Sequence, residues 1–201
     1  KKDQDRLRDK FLKSGVKMIG PETIYFSKDI KIGKNVTIEP YVVFGSKVTI
    51  GNNALIKSFS YLESCIIKDK VEIGPYARIR PNTVLEKGSK VGNFVEVKKS
   101  KIGKNSKVNH LTYIGDAKIG HNVNVGAGTI TCNYDGVKKS KTKIKNNVFI
   151  GSNSSLVAPL TIEENSVIGA GSVITKKVKK NSLALTRSLQ TEVKNYKRKS
   201  K

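Results

Sequence analysis

At 201 residues the chain can bury a sizeable core, and its formal net charge of +23, from 39 Lys plus Arg against 16 Asp plus Glu, points to anionic partners. No run approaches the ~20 apolar residues of a membrane-spanning helix, which excludes a helical membrane protein. The two cysteines, Cys65 and Cys132, form no CxxC pair, so they read as free thiols of a reducing cytoplasm, not as metal or redox ligands. With 17 glycines and no tryptophan, the chain is not built around a few large aromatic anchors. The lysines are spread along the chain and not interleaved with exposed aromatic residues, a pattern that fits phosphorylated small molecules better than nucleic acid. A lysine-rich surface that only keeps the protein in solution fits equally. No signal peptide opens the sequence, and the absent initiating Met is expected of a piece of a longer protein.

In chain order, residues 1–14 place Leu7, Phe11 and Leu12 on one helical face and predict a short amphipathic helix ending near Gly15. It is too short to stand alone and is expected to lean on something, an upstream domain included. Residues 16–29 read as an extended lead-in punctuated by Gly20-Pro21, so that 1–29 forms a helix and linker. From Ile30 the grammar changes. Apolar residues recur every six positions at Ile32, Ile38, Phe44, Ile50, Ile56 and Leu62, then again at Ile67, Ile73, Ile79, Leu85, Val91 and Val97 after a slip of one. A small or β-branched residue follows four positions later, as at Val36, Val42, Val48, Ala54 and Ser60. A helix needs a period of 3.6 and a simple hairpin sheet a period of two. A period of six predicts an all-β fold, the parallel β-helix, in which each hexad is one short strand and one corner. Three hexads close a triangular coil of about eighteen residues, so roughly eight coils fit between residues 30 and 180. Asn35, Asn52, Asn105, Asn122, Asn147 and Asn165 suit the corners. Residues 131–143 (TCNYDGVKKSKTK) break the beat and are expected to leave the prism as an arm, and residues 181–201 form a tail ending in KNYKRKSK.

The chemistry-bearing residues gather in the segment 109–136, NHLTYIGDAKIGHNVNVGAGTITCNYDG. His110 lies two residues past the inward Val108 and is a candidate general base, with Glu96 one coil earlier a candidate to orient it. His121, at a corner, carries no assigned role. Two histidines without an acidic cluster argue against a catalytic metal, and there is no Walker loop. Gly126-Ala127-Gly128 can bare backbone N–H groups toward an oxyanion. Arg80, Lys98 and Lys99 near His110 in the stack, with Lys138, Lys139 and Lys141 on the arm, make either a phosphate-binding wall or a solvated basic face.

The runs GNFVEVKKSKIGKNSKVNHLTYIGDAKIG, NVGAGTITCNYDG and KTKIKNNVFIGSNSSLVAP resemble the acetyltransferase (C-terminal) domain of a bacterial bifunctional family. That family joins N-acetylglucosamine-1-phosphate uridyltransferase to glucosamine-1-phosphate N-acetyltransferase. The resemblance extends from the helix to about Thr191. It implies a left-handed parallel β-helix, an exception to the usual right-handed crossover, assembled as a cytoplasmic homotrimer with no membrane or nucleic-acid partner. It implies acetyl transfer from acetyl-CoA to the 2-amino group of glucosamine-1-phosphate, with His110 as base and Glu96 as the acid that orients it. Arg80, Lys98, Tyr113, Asn124 and Lys139 would bind the sugar phosphate, Lys139 reaching from a neighbouring subunit, and Asn133 and Tyr134 would complete the pocket. Ala127, Ser152, Ala170 and Arg187 would line the acetyl-CoA site. The transfer itself needs no metal, and Mg is expected only for the uridyltransferase domain, whose glycine-rich nucleotide segment these residues lack. The family often carries a basic residue and a Trp in the tail, where this chain has Val193 and Tyr196. Two other readings remain: another hexapeptide acyltransferase with a different acceptor, and a non-catalytic β-helix that binds anionic polymers.

Overall fold

A computed structural model describes residues 2–197, so the last four residues of the basic tail lie outside the described part. Strands of mostly two or three residues stack into three parallel sheets of ten, nine and eight strands. Successive strands visit the first sheet, the second and the third in turn, giving an all-β parallel solenoid of about nine turns, in keeping with the left-handed β-helix. One turn takes 18 residues at Lys34–Asn52, 17 where the beat slips at Asn52–Asp69, and 25 across the arm at His121–Asn146.

The six-residue beat is the interior of the prism. Ile38, Phe44, Ile56, Leu62, Ile73, Ile79, Leu85, Val97 and Ile102 are all fully buried, and so are Val36, Val42, Val48 and Ser60 four places on from an apolar position. At ~25 cal/mol per Å2 of apolar surface, each such isoleucine or leucine contributes roughly 1.5–3 kcal/mol. Small hydroxyls fit where the corner tightens because they can return their hydrogen bond to the backbone: Ser106 Oγ donates to Gly120 O at 2.7 Å and Ser154 Oγ to Gly151 O at 2.6 Å.

The corners require a left-handed backbone, which asparagine tolerates better than other side-chain-bearing residues. At the corner from the third sheet to the first, Asn35, Asn53, Asn105, Asn122, Asn147, Asn165 and Asn181 all have φ between 53° and 57°. Their amides form a ladder, with Asn147 Nδ2 and Asn165 Nδ2 each donating to the next oxygen at 3.1 Å. Asn53, not Asn52, takes the left-handed position; Asn52 instead accepts from the Lys34 backbone N–H at 2.8 Å. At the corner from the first sheet to the second, Tyr41, Phe59, Tyr76 and Phe94 stack face to face at 5.0, 4.8 and 5.2 Å.

The solenoid is longer than the periodicity predicts. Lys17–Met18 and Tyr25–Phe26 already belong to the first and second sheets, and Leu183–Ala184 adds a last strand beyond residue 180. The helix Lys2–Lys13 leans on this first turn. Gln4 takes both backbone groups of Phe26 at 2.8 and 2.9 Å, and Phe11 packs against Phe26 at 5.0 Å. Leu12, placed on the apolar face by periodicity, is exposed.

Candidate active site

The first sheet changes character at one place. Its strands have two residues each, except Lys90–Asn93 and Lys107–His110, which have four. The extension pairs Asn93 with His110 at the edge of the corner. Such close pairing demands a glycine: a Cβ on Gly92 would sit 2.1 Å from the Asn109 carbonyl oxygen. His110 is exposed, and its Nδ1 lies 2.6 Å from Asn93 Oδ1. Its own carbonyl accepts from Thr112 Oγ1 at 2.6 Å and from the Gly128 N–H at 3.3 Å. Backbone and ring are therefore both held.

His110 begins a column that climbs the corner. The carbonyls of Asn93, His110, Ala127 and Ser152 accept from the N–H groups of Leu111, Gly128, Asn153 and Gly171, each in the next coil, at 3.1, 3.3, 2.7 and 2.8 Å. His110, Ala127, Ser152 and Ala170 thus hold equivalent positions in successive turns. Arg187 lies alongside, since a Cβ on Gly169 would come within 3.5 Å of its Nη2. The four residues assigned to the acyl donor and the assigned base share one edge of the prism. Asn124 stands apart on the first sheet, paired with Lys107 and Phe149.

Around the corner, the second sheet carries Arg78, Glu96 and Tyr113 in register, with Arg80 and Lys98 two residues along their strands. Glu96 accepts from Arg80 Nη1 at 2.7 Å and has Arg78 Nη1 at 3.9 Å. Glu96 thus engages an arginine on its own face of the prism, and the side chain within hydrogen-bond distance of the His110 ring is Asn93. Glu96 in turn raises the Arg80 guanidinium above its ordinary pKa. Lys98 is held below the usual lysine range, chiefly by the ammonium of Lys139 and then by Arg80, with Asp116 opposing. Cations that depress one another form a place where an anion is attracted.

The arm is a small hairpin narrower than the periodicity suggests, because Ile130–Cys132 and Thr142–Ile144 remain strands and only 133–141 leaves the prism. Tyr134 and Lys139 form its antiparallel bridge, and Asp135 Oδ1 caps the turn by accepting from the N–H groups of Val137 and Lys138 at 2.9 and 2.8 Å. At its base the buried Asn133 donates to the buried Asp116 at 2.6 Å. Tyr113 lies over Gly115, where a Cβ would meet its hydroxyl at 2.4 Å and Asn133 Nδ2 at 2.8 Å. Asn133, Tyr113 and Lys98 are therefore neighbours, and Lys139 approaches Lys98 within the same chain. Among the described residues no three His, Cys, Asp or Glu gather as metal ligands. Burial pushes the Cys65 thiol up to about 12.

The sequence matches the bacterial transferase hexapeptide (six repeats) model at residues 29–64 and 141–176, and the GMPPB C-terminal domain model at 61–135. It is 52% identical over 187 residues to the bifunctional protein GlmU of Zymomonas mobilis, covering 93% of this chain and 42% of the relative. The chain carries the hexapeptide repeat and is similar to GlmU along most of its length. GlmU of Agrobacterium fabrum is 55% identical over 93% of this chain and 41% of its own length. The chain thus spans less than half the length of the curated relatives it matches. Among solved structures, a Francisella novicida UDP-N-acetylglucosamine acyltransferase superposes with a TM-score of 0.68 at 17% identity, over 80% of this chain and 62% of that one. An Arabidopsis UDP-N-acetylglucosamine acyltransferase gives 0.52 at 20% identity, over 81% and 69%. Both likenesses bear on the fold alone.

Asn93 is the site residue that sequence reasoning missed. Asparagine is common at the corners of this chain, so its type carries no signal. Its spacing does: it stands 17 residues before His110, one shortened coil.

Proposed function

We propose that the chain transfers the acetyl group of acetyl-CoA to the 2-amino group of glucosamine-1-phosphate, as the acetyltransferase half of a bifunctional cytoplasmic enzyme. The observation that carries this reading is a braced, exposed His110 at one corner of the prism together with the Arg80–Lys98–Lys139 cations on the adjoining second sheet and arm. In the reaction the amine lone pair forms the new C–N bond at the thioester carbon. The amine proton passes to His110, and the C–S bond breaks as CoA leaves as a thiolate that takes up that proton. The backbone N–H of Ala127 faces the developing oxyanion, with Ser152, Ala170 and Arg187 along the path of the CoA. Arg80, Lys98 and Lys139 hold the acceptor's phosphate, while Tyr113, Asn124, Asn133 and Tyr134 shape the sugar pocket.

The active assembly is a homotrimer in this reading. A base on a convex, exposed corner needs a second surface to exclude water, and a neighbouring subunit supplies it. The deciding experiment follows CoA thiol release on adding glucosamine-1-phosphate, with glucosamine as control and His110→Ala alongside. Turnover that requires the phosphate and falls by about 10²–10⁴ in the variant is expected. No turnover by the assembled protein, or equal turnover with glucosamine, would overturn the proposal.

A further inference from the structure

The imidazole of a catalytic base works only in one tautomer: the nitrogen facing the substrate must carry the lone pair and the other must carry the proton. We infer that Asn93 is the positioning residue that fixes this tautomer, its side-chain carbonyl accepting the Nδ1–H of His110 and leaving Nε2 free to take the amine proton. The inference rests on the acyl-transfer reading for its kinetic consequence, but its structural content stands without it.

Three observations carry it. The Nδ1···Oδ1 separation is 2.6 Å, short for a bond between neutral groups, and it joins residues in direct register across two parallel strands. The two strands are lengthened only here in the first sheet, and the residue between Val91 and Asn93 is a glycine that no side chain can replace without striking the Asn109 carbonyl. The local sequence is therefore shaped to bring these two side chains together. Finally, Glu96, the carboxylate expected beside the ring, is engaged by Arg80 at 2.7 Å.

A neutral acceptor has a chemical consequence that a carboxylate would not. Both the imidazole and the imidazolium donate Nδ1–H, so the bond persists while the proton is held on Nε2. With no added negative charge, the imidazolium is not over-stabilised, and the proton is readily passed on to the departing thiolate. Asn93 thus sets orientation and tautomer without turning the base into a permanent cation.

The test pairs kinetics with nitrogen-15 NMR of the imidazoles in wild type, Asn93→Ala, Asn93→Asp and Asn93→Leu, His121 being the one other histidine and assigned with a His121→Gln sample. In wild type the His110 Nδ1 resonance is expected at a protonated shift and Nε2 at an unprotonated one. In Asn93→Ala and Asn93→Leu the two tautomers should mix, and kcat should fall about 10- to 100-fold, part of the ~10²–10⁴ of a general base, with KM for glucosamine-1-phosphate changed less than about twofold. Asn93→Asp, which keeps an acceptor but adds a negative charge, should restore the Nδ1–H tautomer while recovering only part of kcat. An Nε2–H tautomer in wild type, or an unchanged tautomer in both Asn93→Ala and Asn93→Leu, overturns the inference whatever the turnover. A wild type inactive toward glucosamine-1-phosphate with the expected tautomer would instead sink the acyl-transfer reading and leave the pairing standing.

Discussion

Gly92 shows how much of the site rests on an atom that is absent. Its missing Cβ lets the strand Lys90–Asn93 approach Lys107–His110 until the Asn109 carbonyl occupies the space a methyl group would need, 2.1 Å away. The clash is with backbone, which cannot swing aside, so Gly92→Ala must push the two strands apart where Asn93 meets His110. Overpacking of this kind costs about 1–3 kcal/mol, and at roughly 2–4 °C per kcal/mol in a chain of this size the thermal midpoint should drop accordingly. The same displacement lengthens the Asn93–His110 bond, so activity should fall further than the stability loss explains. A thermal scan and a kcat measurement on one preparation check both. His110 itself was legible in the sequence from its type and its place beside Val108. Its partner was legible only as a spacing of one shortened coil, because a two-residue strand extension is a property of paired backbones that no single-strand pattern encodes. The same limit bears on Glu96: separation along the chain gives its coil, but its bond to Arg80 is a property of paired strands.

At the scale of the strand, the interior residues were fully legible because the prism admits only one kind of side chain at each sixth position. The outward positions follow other rules. Glu72 sits on the first sheet between Leu55 and Lys90, with Lys57 and Lys90 both on its carboxylate, the latter at 2.9 Å. The two ammonium groups, Lys57 first, hold Glu72 below its ordinary 4.5. A carboxylate with a depressed folded-state pKa stabilises the fold at any pH above its unfolded value, and that contribution fades as pH falls through the folded-state value. Glu72→Gln should therefore lower the unfolding midpoint at pH 7, while wild type and variant converge as pH falls below the ordinary 4.5. Denaturant midpoints between pH 7 and pH 3 measure this. A constant offset at every pH would show that packing, not ionisation, makes the difference. The ends of the solenoid were read too short for a related reason. Strands such as Lys17–Met18 and Leu183–Ala184 are recruited by the neighbours they pair with, not by a hexad of their own.

Across the whole molecule, the excess of positive charge is not spread evenly, and the solenoid itself explains why. In-register stacking repeats an outward position every coil, so one residue type recurring in the sequence becomes a column of like charges. On the third sheet Lys101, Lys118 and Lys143 pair directly with one another in adjacent strands. Glu86 neutralises Lys101 at 2.7 Å, whereas Lys118 and Lys143 make no ion pair among the described residues. Parallel strands lie only ~4.8 Å apart, and like charges directly opposite each other are destabilising by ~0.2–1 kcal/mol per pair. Replacing the central member, Lys118→Glu, turns two repulsions into two attractions without touching the corner that carries His110. The variant should melt a few degrees higher than wild type in dilute buffer. Because exposed charges are screened within ~3 Å at 1 M salt, the gap should close as salt is added, with wild type gaining more from salt than the variant. Turnover is expected to be unchanged, since Lys118 carries no role in the proposed reaction. A gap that survives 1 M salt would assign the effect to packing, and a drop in turnover would show that this lysine column contributes to capturing the phosphorylated substrates.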